Sequence, residues 1–349
     1  MFAKNSLQDT QFFLHDKLNR PLHDLRLSVI DRCNLRCPYC MPFESADNKY
    51  QFLESSQWLS FDDIEYIVRI FVNLGVGKLR ITGGEPLLRP QLSTLIARLK
   101  LIKGLDEIAL TTNGVLLASV VHELKQAGLD RLTISIDSLN EAVYHQMTGG
   151  RAKLSQVFNA LDQAQQAGFE SLKINCVVQR GVNDHTILEM INFFRGTQHV
   201  LRFIEYMDVG NRNHWNYAKV VPSNELIKKI NQEYPLRLLE KNHLAETSQR
   251  YGYVDAQGEI GFVSSVTRAF CGDCNRLRLS SDGKMYTCLF SCQGIDIKQS
   301  IKKRSDSAGL IRLIKTMWNM RSDRYSQLRS NLRQERFKES KVEMFQIGG

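Results

Sequence analysis

A chain of 349 residues, 43% of them hydrophobic, is long enough for one large α/β domain with a smaller one beside it, and it reads as a folded, soluble protein. No apolar run approaches the roughly eighteen residues a membrane span requires. The opening MFAKNSLQDTQFFLHDKLNR lacks a secretory core and carries Asp9 and Asp16 with a single arginine, so a cytoplasmic location is expected. The net charge of +9 suits a polyanionic partner, whether nucleic acid or a triphosphate, and the eight cysteines of so long a chain point to metal or redox ligation, not to a disulfide framework.

In chain order, β-branched segments alternate with amphipathic ones, as in successive βα units around a parallel sheet. Strands are predicted at 25–30, 78–82, 107–111, 131–136, 171–177 and 201–205. Between them, FDDIEYIVRIFVNLG reads as a helix with Ser60 as N-cap and Gly75 as its stop, and LSQVFNALDQAQQAG as one ending at Gly168. Pro90 is expected in the first turn of a helix, where its missing N–H costs nothing. Six βα units are too few to close an eight-stranded barrel, so the expectation is a partial, six-stranded parallel βα barrel over residues 1–245. After about Leu244 the pattern changes to hairpins turning at Gln257-Gly258 and Asp282-Gly283, then a helix in SDSAGLIRLIKTMWNM. These belong to a smaller α+β domain, 246–349, that covers the barrel opening.

Chemistry concentrates in two groups of cysteines. Cys33, Cys37 and Cys40 lie in DRCNLRCPYC directly after the first strand, and three thiolates at that spacing can hold three irons of a 4Fe-4S cubane while leaving the fourth open. Cys271 and Cys274, with Cys288 after thirteen intervening residues, fit a second cubane, or zinc if a fourth ligand such as Cys292 joins them. In ITGGEP, Gly83 and Gly84 follow a strand and permit close backbone approach, and Glu85 adds a carboxylate. Arg276 and Arg278 alternate with Leu277 and Leu279 and share one strand face, which suits an anionic ligand. Arg26, Lys78, Arg80, Lys173 and Arg202 sit singly at strands. Arg329, Arg333, Arg336, Lys338 and Lys341 make a basic stretch near the end of the sequence that could be drawn to a triphosphate.

The run of three cysteines after a strand resembles the radical S-adenosylmethionine (SAM) enzymes. With ITGGEPLLR, TTNG, SIDS, RFIEYMDVG, FCGDCNRLRLSSDGK and a closing Gly348-Gly349 in order, the chain from about Arg26 onward is similar to the GTP 3',8-cyclase family, which opens molybdenum cofactor biosynthesis; only the first twenty or so residues carry no motif. The resemblance implies two 4Fe-4S clusters, on Cys33, Cys37 and Cys40 and on Cys271, Cys274 and Cys288. It implies SAM bordered by Tyr39, Gly84, Glu85, Ser135 and Met207. GTP would be bordered by Arg26, Lys78, Arg80, Thr111, Lys173, Arg202, Arg276, Arg278, Gly348 and Gly349, with Arg26, Arg276 and Arg278 as the catalytic set. Reductive cleavage of SAM would give a radical that takes hydrogen from ribose C3', and the new carbon radical would attack guanine C8. The family pattern requires no thiol at Cys292, and a ligand there would remove the open iron. The resemblance further implies an external electron donor and a downstream pyranopterin monophosphate synthase, implies no nucleic-acid or membrane partner, and leaves a homodimer open. Two other readings compete: a peptide-modifying radical SAM enzyme with an auxiliary cluster, and an RNA-binding iron–sulfur protein, for which the net charge is the main support.

Overall fold

The computed structural model describes residues 14–43, 50–332 and 340–349. Its first six strands lie where the β-branched segments predict them: β1 (Asp24–Ser28), β2 (Lys78–Thr82), β3 (Glu107–Thr112), β4 (Arg131–Ser135), β5 (Lys173–Val178) and β6 (Val200–Glu205), all parallel and adjacent in chain order. Six further strands follow, β7 (Leu236–Leu238), β8 (Gln249–Tyr253), β9 (Glu259–Val263), β10 (Arg276–Leu279), β11 (Lys284–Tyr286) and β12 (Ile295–Asp296). The parallel run does not stop at six. β10 joins β1 and β9 joins β6, both in parallel, and the two predicted hairpins carry the same sheet outward in the order β12-β11-β10-β1-β2-β3-β4-β5-β6-β9-β8-β7. The result is an α/β fold on one mixed sheet, in which residues after 245 supply β10 to β12 beyond β1 and β9 and β8 beyond β6, while β7, from before 245, is the outermost strand beside β8.

The helices obey local rules. Ser60 caps the helix Phe61–Asn73 by accepting from Asp63 N at 3.1 Å while Asp63 Oδ2 accepts from Ser60 N, a reciprocal capping box. Gly75 ends it at φ 104°, where Val76 N reaches back to Phe71 O, a left-handed turn that a side chain would strain. Pro90 departs from expectation: the next helix is Leu92–Lys100, and its N-cap Gln91 is left-handed (φ 58°), so the proline lies before the helix and shapes its approach.

Side chains alternate across each parallel strand, and here the alternation separates two chemistries. Leu25, Leu27, Leu79, Ile81, Ile108, Leu110, Ile134, Ile174 and Phe203 are buried among the helices. The opposite face carries Asp24, Arg26, Lys78, Arg80, Thr111, Arg131, Lys173, Asn175 and Arg202. An apolar outer face fixes which way every strand points, and so delivers the cations together on the inner one.

Candidate active site

That inner face lines a cavity of about 800 Å³. Of the residues expected to meet substrate, Arg26, Lys78, Arg80, Thr111, Lys173, Arg202, Arg276, Arg278 and Gly349 line it, as do Met207, Cys271, Cys274 and Cys288. Gly348, also expected there, is not among the lining residues. Cys33, Cys37, Cys40, Tyr39, Gly84, Glu85 and Ser135 gather at the ends of β1 to β4, where the chain leaves the sheet.

The strand registers sort the cations. One row runs Arg276, Asp24, Lys78, Glu107 across β10, β1, β2 and β3 and alternates in sign; Lys78 Nζ meets Glu107 at 2.6 Å. The next inward-facing row begins Arg278, Arg26, Arg80, three guanidiniums at matching positions on neighbouring strands. Strands lie about 4.8 Å apart, and like charges directly opposite one another repel. Arg80 Nη1 donates to the hydroxyls of Thr111 (3.1 Å) and Thr133 (3.3 Å), which orients it without neutralising it. Nε of Arg26, of Arg202 and of Arg276 are buried with no hydrogen-bond partner among the described residues. Burial, compounded by the neighbouring cations, lowers Arg26, Arg80 and Arg202, the last to about 9, and Lys173 to about 7. Such a wall is complementary to a polyanion.

On the other side, the loop after β1 is held by backbone packing. Gly84 N donates to Ile30 O and Glu85 N to Arg32 O, each at 2.8 Å, and a Cβ at Gly84 would collide with the Arg32 carbonyl. The glycines thus press the β2 turn against the cysteine loop. Both oxygens of Glu85 are occupied, by Thr112 Oγ1 (2.7 Å) and Leu87 N on one and Asn113 N (2.8 Å) on the other, and burial raises this carboxyl to about 7. Asn113 in turn donates to Asn34 Oδ1 at 2.8 Å and to Cys33 Sγ at 3.8 Å. Burial pushes the Cys33 thiol up to about 11, with Glu85 adding to it, and raises Cys37 and Cys40 too, so a cationic iron core would be needed to hold all three as thiolates. Tyr39 OH donates to Asp137 Oδ2 at 2.7 Å, and Asn213 Nδ2 bridges the carbonyls of Tyr39 and Met207. The contacts of Asn113, Asp137 and Asn213 are not legible in the sequence: TTNG and SIDS contain the first two, but their partners Asn34, Glu85 and Tyr39 come from other loops.

The second cysteine set differs. Burial raises Cys288 to about 11, but at Cys274 the charges of Arg276 and Arg321 outweigh burial and bring the thiol down to about 6. Cys292 is not among the residues lining the cavity, and among the described residues no three His, Cys, Asp or Glu side chains converge as a single-ion site would require. Arg329 and Lys341, expected to be drawn to a triphosphate, instead close on Asp208 at 2.9 and 3.2 Å, joined by Tyr325 OH. Arg333, Arg336 and Lys338 lie outside the described residues. Gly348 and Gly349 are inside: Arg278 donates to the Gly348 oxygen, and Arg26 Nη1 to the Gly349 oxygen at 2.7 Å.

Residues 27–194 match the radical SAM superfamily, and residues 199–327 match the molybdenum cofactor synthesis C family. The fold is similar to that of Streptococcus suis SuiB bound to S-adenosylmethionine, with a TM-score of 0.59 and 15% identity over 84% of this chain and 69% of that one. A strand-borne cysteine loop on such a sheet defines a radical SAM enzyme, whose cofactors are SAM and iron–sulfur clusters. The chain is 50% identical over 336 residues to the GTP 3',8-cyclase of Xanthomonas campestris pv. campestris, covering 96% of this chain and 97% of the relative. It is 44% identical over 336 residues to that of Aquifex aeolicus, covering 96% and 100%. The chain belongs to the GTP 3',8-cyclase family, radical SAM cyclases of molybdenum cofactor biosynthesis.

Proposed function

We propose that the enzyme converts GTP to 3',8-cyclo-7,8-dihydro-GTP, with Cys33, Cys37 and Cys40 holding the 4Fe-4S cluster that binds SAM and Cys271, Cys274 and Cys288 holding a second. When bound, the first cluster and SAM supply a carbon-centred radical able to take hydrogen from ribose C3' of the substrate. Tyr39, Gly84, Glu85, Ser135 and Met207 border SAM in this reading; Glu85 acts through Asn113 and the cysteine loop, since its own oxygens are taken. Arg26, Arg80, Thr111, Lys173 and Arg202 gather the triphosphate, each cation offering a charge-assisted donor to a phosphate oxygen. Arg276 and Arg278 border the nucleotide beside the second cluster. Lys78, already paired with Glu107, contributes mainly long-range charge.

The like-charged row Arg278, Arg26, Arg80 carries this proposal, because three adjacent cations facing a cavity are stabilised by an anion that spans them. Residues 1–245 act as a six-stranded partial barrel on β1 to β6, and 246–349 bring the second cluster and the di-glycine to its opening; the placement of β9 and β10 on either side of the six-strand run supports a division after β6, while β7, before 245, pairs with β8 of the later part. Among the described residues no helix is long and apolar enough to cross a membrane. We place the enzyme in the cytoplasm, served by an external electron donor and followed by pyranopterin monophosphate synthase. An anaerobic assay for 5'-deoxyadenosine tests the reading: formation should rise on addition of GTP, and formation indifferent to GTP would defeat it.

A further inference from the structure

The segment before β1 carries no motif, yet it grips the second cysteine set. Asp16 turns the chain back on itself: its Oδ1 accepts from Leu18 N and Arg20 N, each at 2.9 Å, and its Oδ2 from Arg20 Nε at 2.6 Å. Arg20 Nη1 then donates to Cys271 O at 2.7 Å and Asp323 O at 2.8 Å. From the other side, Arg321 reaches the same carboxylate oxygen of Asp16 at 3.3 Å. Its Nη1 donates to Cys274 O at 2.7 Å and its Nη2 to Cys274 Sγ at 3.2 Å. The Arg321 guanidinium carbon sits over the Trp318 ring, 4.5 Å from its centre, and Trp318 donates its own indole N–H to Arg20 O. The side chains of Asp16, Arg20 and Arg321 are 0%, 2% and 1% exposed.

Two buried guanidiniums share one buried carboxylate, so the group carries an excess positive charge. Asp323 meets Arg321 Nε at 3.5 Å, but its side chain is 35% exposed and sits in partial contact with water. An unbalanced buried cation is costly, and the other negative partner within reach is Cys274 as a thiolate. A thiolate bound to iron is permanently ionised. We propose that Arg321, held in place by Asp16, Arg20 and Trp318, is a positioning residue of the second cluster: it fixes Cys274 through its carbonyl and donates an N–H···S hydrogen bond that raises the cluster's reduction potential. The direction follows from electrostatics. Reduction adds negative charge to the cluster and its sulfurs, and a cation donating to a ligand sulfur stabilises the reduced form more than the oxidised one.

This inference rests on the assignment of Cys271, Cys274 and Cys288 to a cluster, and the test separates the two. In the full chain with Cys33, Cys37 and Cys40 all changed to Ala, anaerobic reconstitution should leave about four irons. If it leaves none, the cluster assignment fails whatever Arg321 does. With the cluster present, its midpoint is measured by redox titration followed by electron paramagnetic resonance, before and after Arg321→Met and Arg321→Lys. The expected result is a downward shift in both variants, larger for Met, because Lys keeps a charge for Asp16 but lacks the fork that serves carbonyl and sulfur together. Loss of the second cluster from Arg321→Met, with about four irons retained on the first when Cys33, Cys37 and Cys40 are intact, also upholds the role. An unmoved midpoint with iron retained overturns it, since a residue that merely packs would lower thermal stability and leave the potential alone. Should Arg321→Met fail to fold, Arg321→Lys decides the matter by the same criterion.

Discussion

Arg26 on β1 donates to the oxygen of Gly349 at 2.7 Å, joining residues 323 positions apart, while Arg278 on the adjacent strand donates to the oxygen of Gly348. The di-glycine is thereby seated against the like-charged row, between the guanidiniums and the turn after β2. Gly348 has φ 72°, and a Cβ there would collide with the Thr82 hydroxyl, so only glycine fits without displacing the strand end. Deleting Gly348 and Gly349 should abolish cyclisation while both clusters and the fold persist. Gly348→Ala should lower kcat/KM by about five- to a hundredfold, from strain of roughly 1–3 kcal/mol at the seat. Product formation set against iron content and circular dichroism checks both; a truncated enzyme that cyclises GTP at a comparable rate would show the di-glycine to be dispensable.

The two registers predict a ranking among the cations. Arg26→Ala and Arg278→Ala each remove a charged donor from the row that has no carboxylate in register and also unseat a glycine of the di-glycine, so KM for GTP should rise by about ten- to a hundredfold, the equivalent of ~1.4–2.7 kcal/mol, and kcat should fall with it. Lys78→Ala should cost less, because Glu107 already occupies its ammonium group. SAM binding should survive in all three. A Lys78 variant as impaired as the arginine variants would mean the alternating row, not the like-charged one, meets the phosphates.

Lys173 supplies a pH dependence. Burial, reinforced by Arg202, Arg131, Arg80 and Lys78, depresses its ammonium group to about 7, so in the ligand-free enzyme it loses its proton as pH rises through that value. A bound triphosphate favours the charged form, so binding near and above pH 7 takes up a proton. Affinity must then fall as pH rises from 7 towards 9. Lys173→Met should bind GTP more weakly at pH 7 and flatten the profile, measurable by titration calorimetry in buffers of different ionisation enthalpy. A wild-type profile flat across this window would place Lys173 away from the phosphates.

Iron content distinguishes the cysteines. Reconstituted enzyme should hold about eight irons, and changing Cys33, Cys37 and Cys40 together should halve that. Cys288→Ser should lose the second cluster, because Cys288 faces the cavity with Cys271 and Cys274; Cys292→Ser should keep it. The reverse order would make Cys292 the third ligand.

Much of this site could be read in one dimension because its parts are local. Three cysteines within eight residues must share a loop, Ser60 and Gly75 punctuate their helix through bonds to near neighbours, and Arg276 and Arg278 share a face by the two-residue period of a strand. Alternation likewise separates the apolar set Leu25, Leu27, Leu79 and Ile81 from the inward cations before any strand is paired. Pairing itself is not local. That Arg278, Arg26 and Arg80 stand abreast while Lys78 faces Glu107 depends on the register between strands, and a shift of one residue would have exchanged the two faces. The same holds for the basic stretch near the end of the sequence, where Arg329 and Lys341 are spent on Asp208, and for Asp16, which holds Arg20 nearby and meets Arg321 from the far end of the chain. Composition and spacing determined which chemistry this chain carries. Only the tertiary structure decided which charges are free to use it, because a charge is cancelled by whatever lies within a few ångströms of it in space, however far away in sequence.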